Sequence, residues 1–303
     1  MLASFLAAFF FALNATCASH SVRALGTLRA NLGRLLVATV LLGLFAHTVG
    51  HGFTSASLYW FFLSGIIGMG LGDLGVYAAL PLLGSRLTVL MTQCLAAPIA
   101  ALGEWWWLGT RLTGLQAFWG LVILLGVAVA LLPSKASPPH VQIKPIGFLF
   151  GLIAACGQGF GALVSRKGVT VAAAAGEQVA NATFGLNAAY HRILAGLAFT
   201  GLWFLVLHLL KRAPKAPVPR PTERRTGRWW VLANGLAGPV AGVGCYQWAL
   251  ATTPGGLVLP IAATAPLLSI PIAFWLEGDR PSRRSIVGGV IAVAGCIALT
   301  LNR

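Results

Sequence analysis

Acids are what this chain lacks. Only six of its 303 residues are Asp or Glu, namely Asp73, Glu104, Glu177, Glu223, Glu277 and Asp279. They are scattered and fall mostly in connecting segments, so no cluster of carboxylates is available for acid and base chemistry or for a metal. Charge of any kind is scarce. Only 9% of residues are charged and 57% are hydrophobic, against about a quarter charged in a soluble domain, and a soluble globular fold is thereby excluded. The five cysteines, Cys17, Cys94, Cys156, Cys245 and Cys296, are odd in number and far apart within apolar stretches. They supply neither a disulfide frame nor a zinc spacing and read as free, buried thiols.

What is present is long, continuous apolar sequence. About 20 such residues cross the hydrocarbon core as a helix, and only helices or closed barrels satisfy their backbone groups in lipid. Runs this continuous read as helices. Ten spans are expected, over 2–18, 31–49, 57–82, 86–108, 114–133, 145–164, 184–210, 229–251, 255–276 and 285–302. The first lacks a basic stretch before it and is expected to remain in the protein, not to be removed as a signal peptide. Most connections are short; 166–184 is rich in Ala and Gly, and 211–228 is basic and rich in Pro.

The net charge of +15 would suit nucleic acid in a soluble protein. Here the basic residues sit in short loops, which makes them a topology signal, and no nucleic-acid partner is expected. One side collects Arg23, Arg29, Arg34, Arg86, Lys135, Lys144, Lys211, Arg212, Lys215, Arg220, Arg224, Arg225, Arg228, Arg280, Arg283 and Arg284; the other has Arg111, Arg166, Lys167 and Arg303. The richer side is expected to be cytoplasmic, with both termini outside, in a multi-pass protein of the cytoplasmic membrane.

Internal repeats run through the whole chain. Gly65, Gly68, Gly72, Ala79 and Leu80 return 170 residues later as Gly235, Gly238, Gly242, Ala249 and Leu250, without a gap. Ala12 and Arg23 match Ala155 and Arg166, and Arg34, Leu36, Gly43 and Leu44 match Arg192, Leu194, Gly201 and Leu202. Gly109, Arg111, Gly120 and Gly126 match Gly278, Arg280, Gly289 and Gly295. Each half, 1–135 and 145–303, thus holds five spans, and an odd number makes the second copy enter the membrane in the opposite sense. The expected fold is all-α integral membrane, ten transmembrane helices as two inverted five-helix repeats, an arrangement that places a solute site near the midplane between the copies.

The ends of the fourth and ninth spans carry a further pattern. Ala79-Leu80, Pro98, then Leu108-Gly109-Thr110-Arg111-Leu112 and Gly120 and Gly126 in the first half correspond to Ala249-Leu250, Pro266, then Glu277-Gly278-Asp279-Arg280-Pro281 and Gly289 and Gly295 in the second. This pattern, over essentially the whole chain, resembles the drug/metabolite transporter superfamily and specifically its EamA-like ten-helix branch. The turn acid departs from the family pattern, being Thr110 in one half and Asp279 in the other. The resemblance implies a permease of small organic metabolites or drugs, often an exporter, without ATP-binding machinery or cofactor, acting as a monomer or homodimer. Alternatives are a membrane-embedded lipid-modifying enzyme, for which no clustered acids, metal site or nucleophile and base are in view, and a non-coupled facilitator or pore.

Asp73 is the foremost candidate residue, because a carboxylate inside the bilayer costs about 3 kcal/mol on insertion scales and faces a cavity or a partner. Its repeat mate is Val243, so one half alone carries the acid. Two readings stand: a proton-binding group for coupled transport, or a tie to a neighbour such as Arg34. Tyr77 lies one turn further along the same face. Arg192 and its mate Arg34 could each hold a carboxylate; Arg34, near the start of its span, could equally snorkel. In the eighth span Tyr246, Gln247 and Trp248 are consecutive, so at most two line a cavity; Gln247, equivalent to Tyr77, is preferred, with Trp248 as an aromatic wall. Glu104 precedes Trp105, Trp106 and Trp107, which read as an interface belt, and it either reaches the headgroups or serves gating. Asn14, Gln93 and Gln158 are lone amides fit for a solute or for helix-to-helix bonds. His47 and His51 are four apart but lie in a Gly-rich loop with no acid beside them, so no metal is expected.

Overall fold

The computed structural model describes residues 1–131, 143–211, 221–277 and 282–301; within helices, the side chains at 19, 23, 27, 77, 80, 81, 84–86, 221–225, 270 and 273–277 are not described. Helices make up the described residues, with no strand among them. The elements are α1 Leu2–Leu25, α2 Thr27–Thr48, α3 Leu58–Gly65, α4 Asp73–Gly103, α5 Gly114–Leu131, α6 Ile146–Ala174, α7 Ala182–Leu209, α8 Pro221–Gly235, α9 Val243–Thr252, α10 Gly255–Ala262, α11 Ala265–Glu277 and α12 Arg283–Leu301. Among the described residues, eight segments are long and apolar enough to cross a membrane: 2–22, 28–48, 58–76, 87–108, 114–131, 146–174, 182–209 and 283–301. The sequence expectations for 229–251 and 255–276 meet interrupted helices instead. Pro239 and the pair Pro260 and Pro266 stand at or beside these interruptions, each removing a backbone donor. Lys135, Arg212, Lys215, Arg220, Asp279, Arg280 and Arg303 lie outside the described residues.

Local chemistry sets the ends. Between α1 and α2 the corner is Gly26, at φ 79° and ψ 158°, a region essentially open only to glycine. Gly109, at φ 68°, stops the chain after the tryptophan run. Thr113 and Gln116 open α5 with a reciprocal cap: Gln116 N–H donates to Thr113 Oγ1 at 3.2 Å, and Thr113 N–H to Gln116 Oε1 at 3.1 Å. Asn181 caps α7 through Phe184 N–H at 2.8 Å.

The two ends of α4 run along α6 in opposite senses. Gly75 abuts Ala154 and Leu83 abuts Gly147, whereas Met91 abuts Gly151 and Ile99 abuts Gly159. The chain therefore doubles back between Leu83 and Met91. That is where the sequence separates 57–82 from 86–108.

Two seven-residue π-helical stretches interrupt the long helices, Ile66–Gly72 and Leu236–Gly242. They are offset by the same 170 residues as the glycine pattern, and Asp73 and Val243 each begin the α-helix that follows. The packing is reciprocal as well. Gly65 lies against the main chain of Arg192 and Gly235 against that of Arg34; Gly68 approaches Gly157 and Gly238 approaches Asn14; Gly126 meets Ala292 and Gly295 meets Ile123. In each of these pairs the partners are exchanged between repeat mates. Glycine at these points lets helix backbones approach closely, the usual means of association where lipid offers no hydrophobic drive.

The outward surface is apolar: Leu121 and Leu125 on α5 and Val290 and Ile297 on α12 are exposed. Trp105, Trp106 and Trp107 are exposed at one helix end, where an interface belt belongs.

Candidate functional site

Between these helices lies a cavity of about 590 Å³. Its walls take Phe11 and Asn14 from α1, Arg34 from α2, Asp73 and Gln93 from α4, Gln158 from α6, Arg192 from α7, Tyr246 from α9 and Leu259 from α10. Met69 enters from the first π stretch, and Leu131, Pro266 and Ser269 complete the wall. Polar groups thus converge from both halves on an otherwise apolar space, the usual make-up of a small-molecule site.

The π stretches help to set this geometry. Each inserts an extra residue per turn into the ladder, which rotates the helix beyond it, and such bulges recur at functional sites. Asp73 lies directly after the first, and Oδ2 stands 3.4 Å from Arg34 Nη2. Arg34 Nε also donates to Asn31 Oδ1 at 2.7 Å. The two side chains of the ion pair are 18% and 17% exposed, so the pair borders the cavity and is not sealed in.

Arg192 is different. It is 3% exposed, donates from Nη1 to Ser165 Oγ at 3.1 Å, and carries its guanidinium carbon 5.9 Å from the centre of the Tyr246 ring. Its Nε has no hydrogen-bond partner among the described residues. Gly68 is what makes room, since a Cβ there would stand 2.7 Å from Nη2. Ser165 in turn bonds Ser64 at 2.8 Å, and Ser64 donates to the Gly161 carbonyl at 2.6 Å. The cation is therefore positioned from α3 and α6 while one edge stays unused.

Of the residues singled out in the sequence, Asp73, Arg34, Arg192 and Tyr246 share this cavity, together with the amides Asn14, Gln93 and Gln158. The Tyr77 side chain is outside the described set. Gln247 and Trp248 do not line the cavity: Gln247 is wholly buried elsewhere with both amide atoms unpartnered among the described residues. Trp248 packs on Gly185 and donates to the Ala180 carbonyl at 3.4 Å. Ser165, Phe11 and Ser269 were not anticipated; a lone Ser or Phe in an apolar span gives no signal of its own.

Glu104 also lies apart, and it does not reach the headgroups. It is 1% exposed, accepts from Gly255 N–H at 2.8 Å and stands 3.3 Å from Arg166 Nε, while Arg166 Nη1 donates to the Leu250 carbonyl at 2.5 Å. This buried pair joins the end of α4 to α6 and to the first turn of α10. Removing one partner of a buried pair costs about 3–5 kcal/mol; Arg166 keeps its carbonyl, so Glu104→Ala should fall near the lower figure. Glu104→Gln, which still accepts from Gly255, should lose less, and thermal unfolding of the purified variants should give the order wild type, Gln, Ala.

His47 packs edge-on against Tyr190 and Phe53, and His191 Nε2 donates to the Gly52 carbonyl at 2.6 Å. Among the described residues no three His, Cys, Asp or Glu side chains come together to hold a metal.

Multiple apolar helices around a polar internal cavity define a multi-pass membrane protein with a small-molecule site. The chain matches the EamA-like transporter family over residues 1–132 and again over 145–301, and it belongs to that family. The family's members are membrane transporters of small molecules. A search of curated proteins finds no match. Among solved structures, one described only as the crystal structure of a protein shares 20% identity and superposes with a TM-score of 0.73, covering 99% of this chain and 96% of that one. At such identity the likeness speaks for the fold.

Proposed function

We propose that this protein is a proton-coupled secondary transporter that exports small organic metabolites or drugs across the cytoplasmic membrane. Its working form is ten membrane-crossing segments in two inverted halves, with the solute site between them. The observation that carries the reading is the cavity in which Asp73 and Arg34 of the first half face Arg192 and Tyr246 of the second. The paired π stretches and the exchanged glycine contacts support the two-fold relation, and the two family matches, one in each half, agree with it.

The cavity is lined by Leu131, the last residue of α5, and by Ser269, in the first half of α11. Those helices lead to the side where the basic loops gather, which the charge rule places in the cytoplasm. At the other end the Glu104–Arg166 pair closes the bundle. A site open to the cytoplasm is filled from within, which fits export. Rocking of one half on the other at glycine contacts would expose it outward.

Asp73 is the coupling group in this account. In vesicles containing the purified protein under a pH gradient, a transported solute should cause proton movement that Asp73→Asn abolishes. A metabolite-export screen on overexpression supplies the solute. Normal transport by Asp73→Asn without proton movement in either protein would remove the coupling and leave a facilitator.

A further inference from the structure

The cavity's charges do not cancel. Two cations, Arg34 and Arg192, and one anion, Asp73, line it, for a balance of +1, and no other Asp, Glu, Lys or Arg among the described residues does so. A buried charge without a counter-ion is costly. Arg34 has its carboxylate at 3.4 Å; Arg192, the more buried of the two, has a serine and a tyrosine ring. With Nη1 spent on Ser165 and Nε buried without a partner among the described residues, the remaining edge is the one formed by Nε and Nη2, beside Gly68. That edge presents two parallel N–H groups and matches a carboxylate in a bidentate contact. The same cavity wall carries the apolar side chains Phe11, Met69 and Leu259.

We propose that the site takes amphipathic organic acids as monoanions, with the carboxylate on Arg192 and the apolar body against Phe11, Met69 and Leu259, and that Asp73 masks Arg34 as a second cation which a proton on Asp73 releases. This rests on the transporter reading above and names its substrate class. One carboxylate brings the cavity to neutrality when Asp73 is ionised. A proton taken up by Asp73 from the bulk solution takes away its negative charge, frees Arg34, and raises the balance from +1 to +2. The charged groups acting on Asp73 are Arg34 from α2 and Arg192 from α7, and the further titratable group lining the cavity is Tyr246 from α9. Proton and anion consequently favour the same loaded state, and by linkage each strengthens the binding of the other. A monoanion leaving with one proton carries no net charge.

The test is binding by the purified protein in lipid nanodiscs, read as the shift in melting temperature over a titration with three probes of one shape: 3-phenylpropionate, 3-phenylpropionamide and 3-phenylpropylammonium. Only the carboxylate should stabilise the wild type, and Arg192→Gln should weaken it about 100-fold, the equivalent of a charged bidentate contact of about 3 kcal/mol. Asp73→Asn should bind the carboxylate about tenfold more tightly. Should Arg192→Gln fail to fold, Arg192→Lys keeps the charge without the fork and should retain the preference for carboxylate at lower affinity. Preference for the ammonium or the amide, no shift with any probe, or weaker carboxylate binding by Asp73→Asn would each overturn the proposal. Solute-driven proton movement that persists in vesicles after such a result would leave the transporter reading standing, so the two fail separately.

Discussion

Gly157→Leu is expected to destabilise the fold strongly. A Cβ at position 157 would overlap the Cα of Gly72, and it would lie 2.8 Å from Gly72 N and 3.0 Å from the Ile67 carbonyl. These are backbone atoms, so no side-chain rotation relieves the clash and the helices must separate. Overpacking of this kind costs about 3 kcal/mol or somewhat more, a large part of a folded protein's margin of roughly 5–15 kcal/mol. On the usual scale that corresponds to a fall of about 10 °C in melting temperature. The contact joins α6 to the π stretch that presents Asp73, so whatever protein survives should also bind solute poorly. Gly201 is the control: a Cβ there meets nothing within 4 Å, and Gly201→Leu should melt within about 2 °C of wild type.

Arg192→Gln is expected to fold and yet to transport about 100-fold more slowly at subsaturating solute. The side chain is buried in the cavity wall, and its hydrogen bond to Ser165 is the one it makes among the described residues. Removing an incompletely paired buried cation relieves a desolvation cost, so stability should hold or rise. What is lost is the group that meets the solute, and a charged bidentate contact of about 3 kcal/mol corresponds to roughly two powers of ten. Initial rates in vesicles, normalised to folded protein, check both parts at once. Loss of folding with normal specific activity would make Arg192 a structural cation.

The parts of this account that were legible in the sequence are those that depend on length, periodicity and repetition. Eight of the apolar stretches are helices long enough to span, because in lipid the backbone has little other choice. The 170-residue offset, first visible as recurring glycines, returns as paired π stretches at Ile66–Gly72 and Leu236–Gly242. A carboxylate in an apolar helix marked Asp73 by cost alone, and Arg34 stands beside it as one of the two readings required.

Facing and long-range pairing were not legible. Tyr246, Gln247 and Trp248 point about 100° apart on a helix, but which of them reaches the cavity depends on the π stretch just before them, and periodicity counted through such a stretch lands on the wrong face. Gln247, preferred as the repeat mate of Tyr77, lies buried elsewhere, while Tyr246 lines the cavity with its ring near Arg192. Glu104 and Arg166 are 62 residues apart with α5 between them, and nothing local joins them. Their ion pair appears only once α4 and α6 lie together. Ser165, which holds Arg192, is equally silent as sequence.

The central claim is that the cavity around Asp73 and Arg192 opens to one side of the membrane and then to the other. Its most direct measurement uses Ser269→Cys, on the cavity wall, in a protein whose Cys17, Cys94, Cys156, Cys245 and Cys296 are replaced by Ala or Ser. A membrane-impermeant thiol reagent should label this cysteine from the side of the basic loops in resting vesicles. During turnover with a transported solute, labelling from that side should slow, and Cys at Tyr246, deeper in the same wall, should become reactive from the opposite side. Labelling of both positions from one side only, unchanged by solute and turnover, would contradict the account.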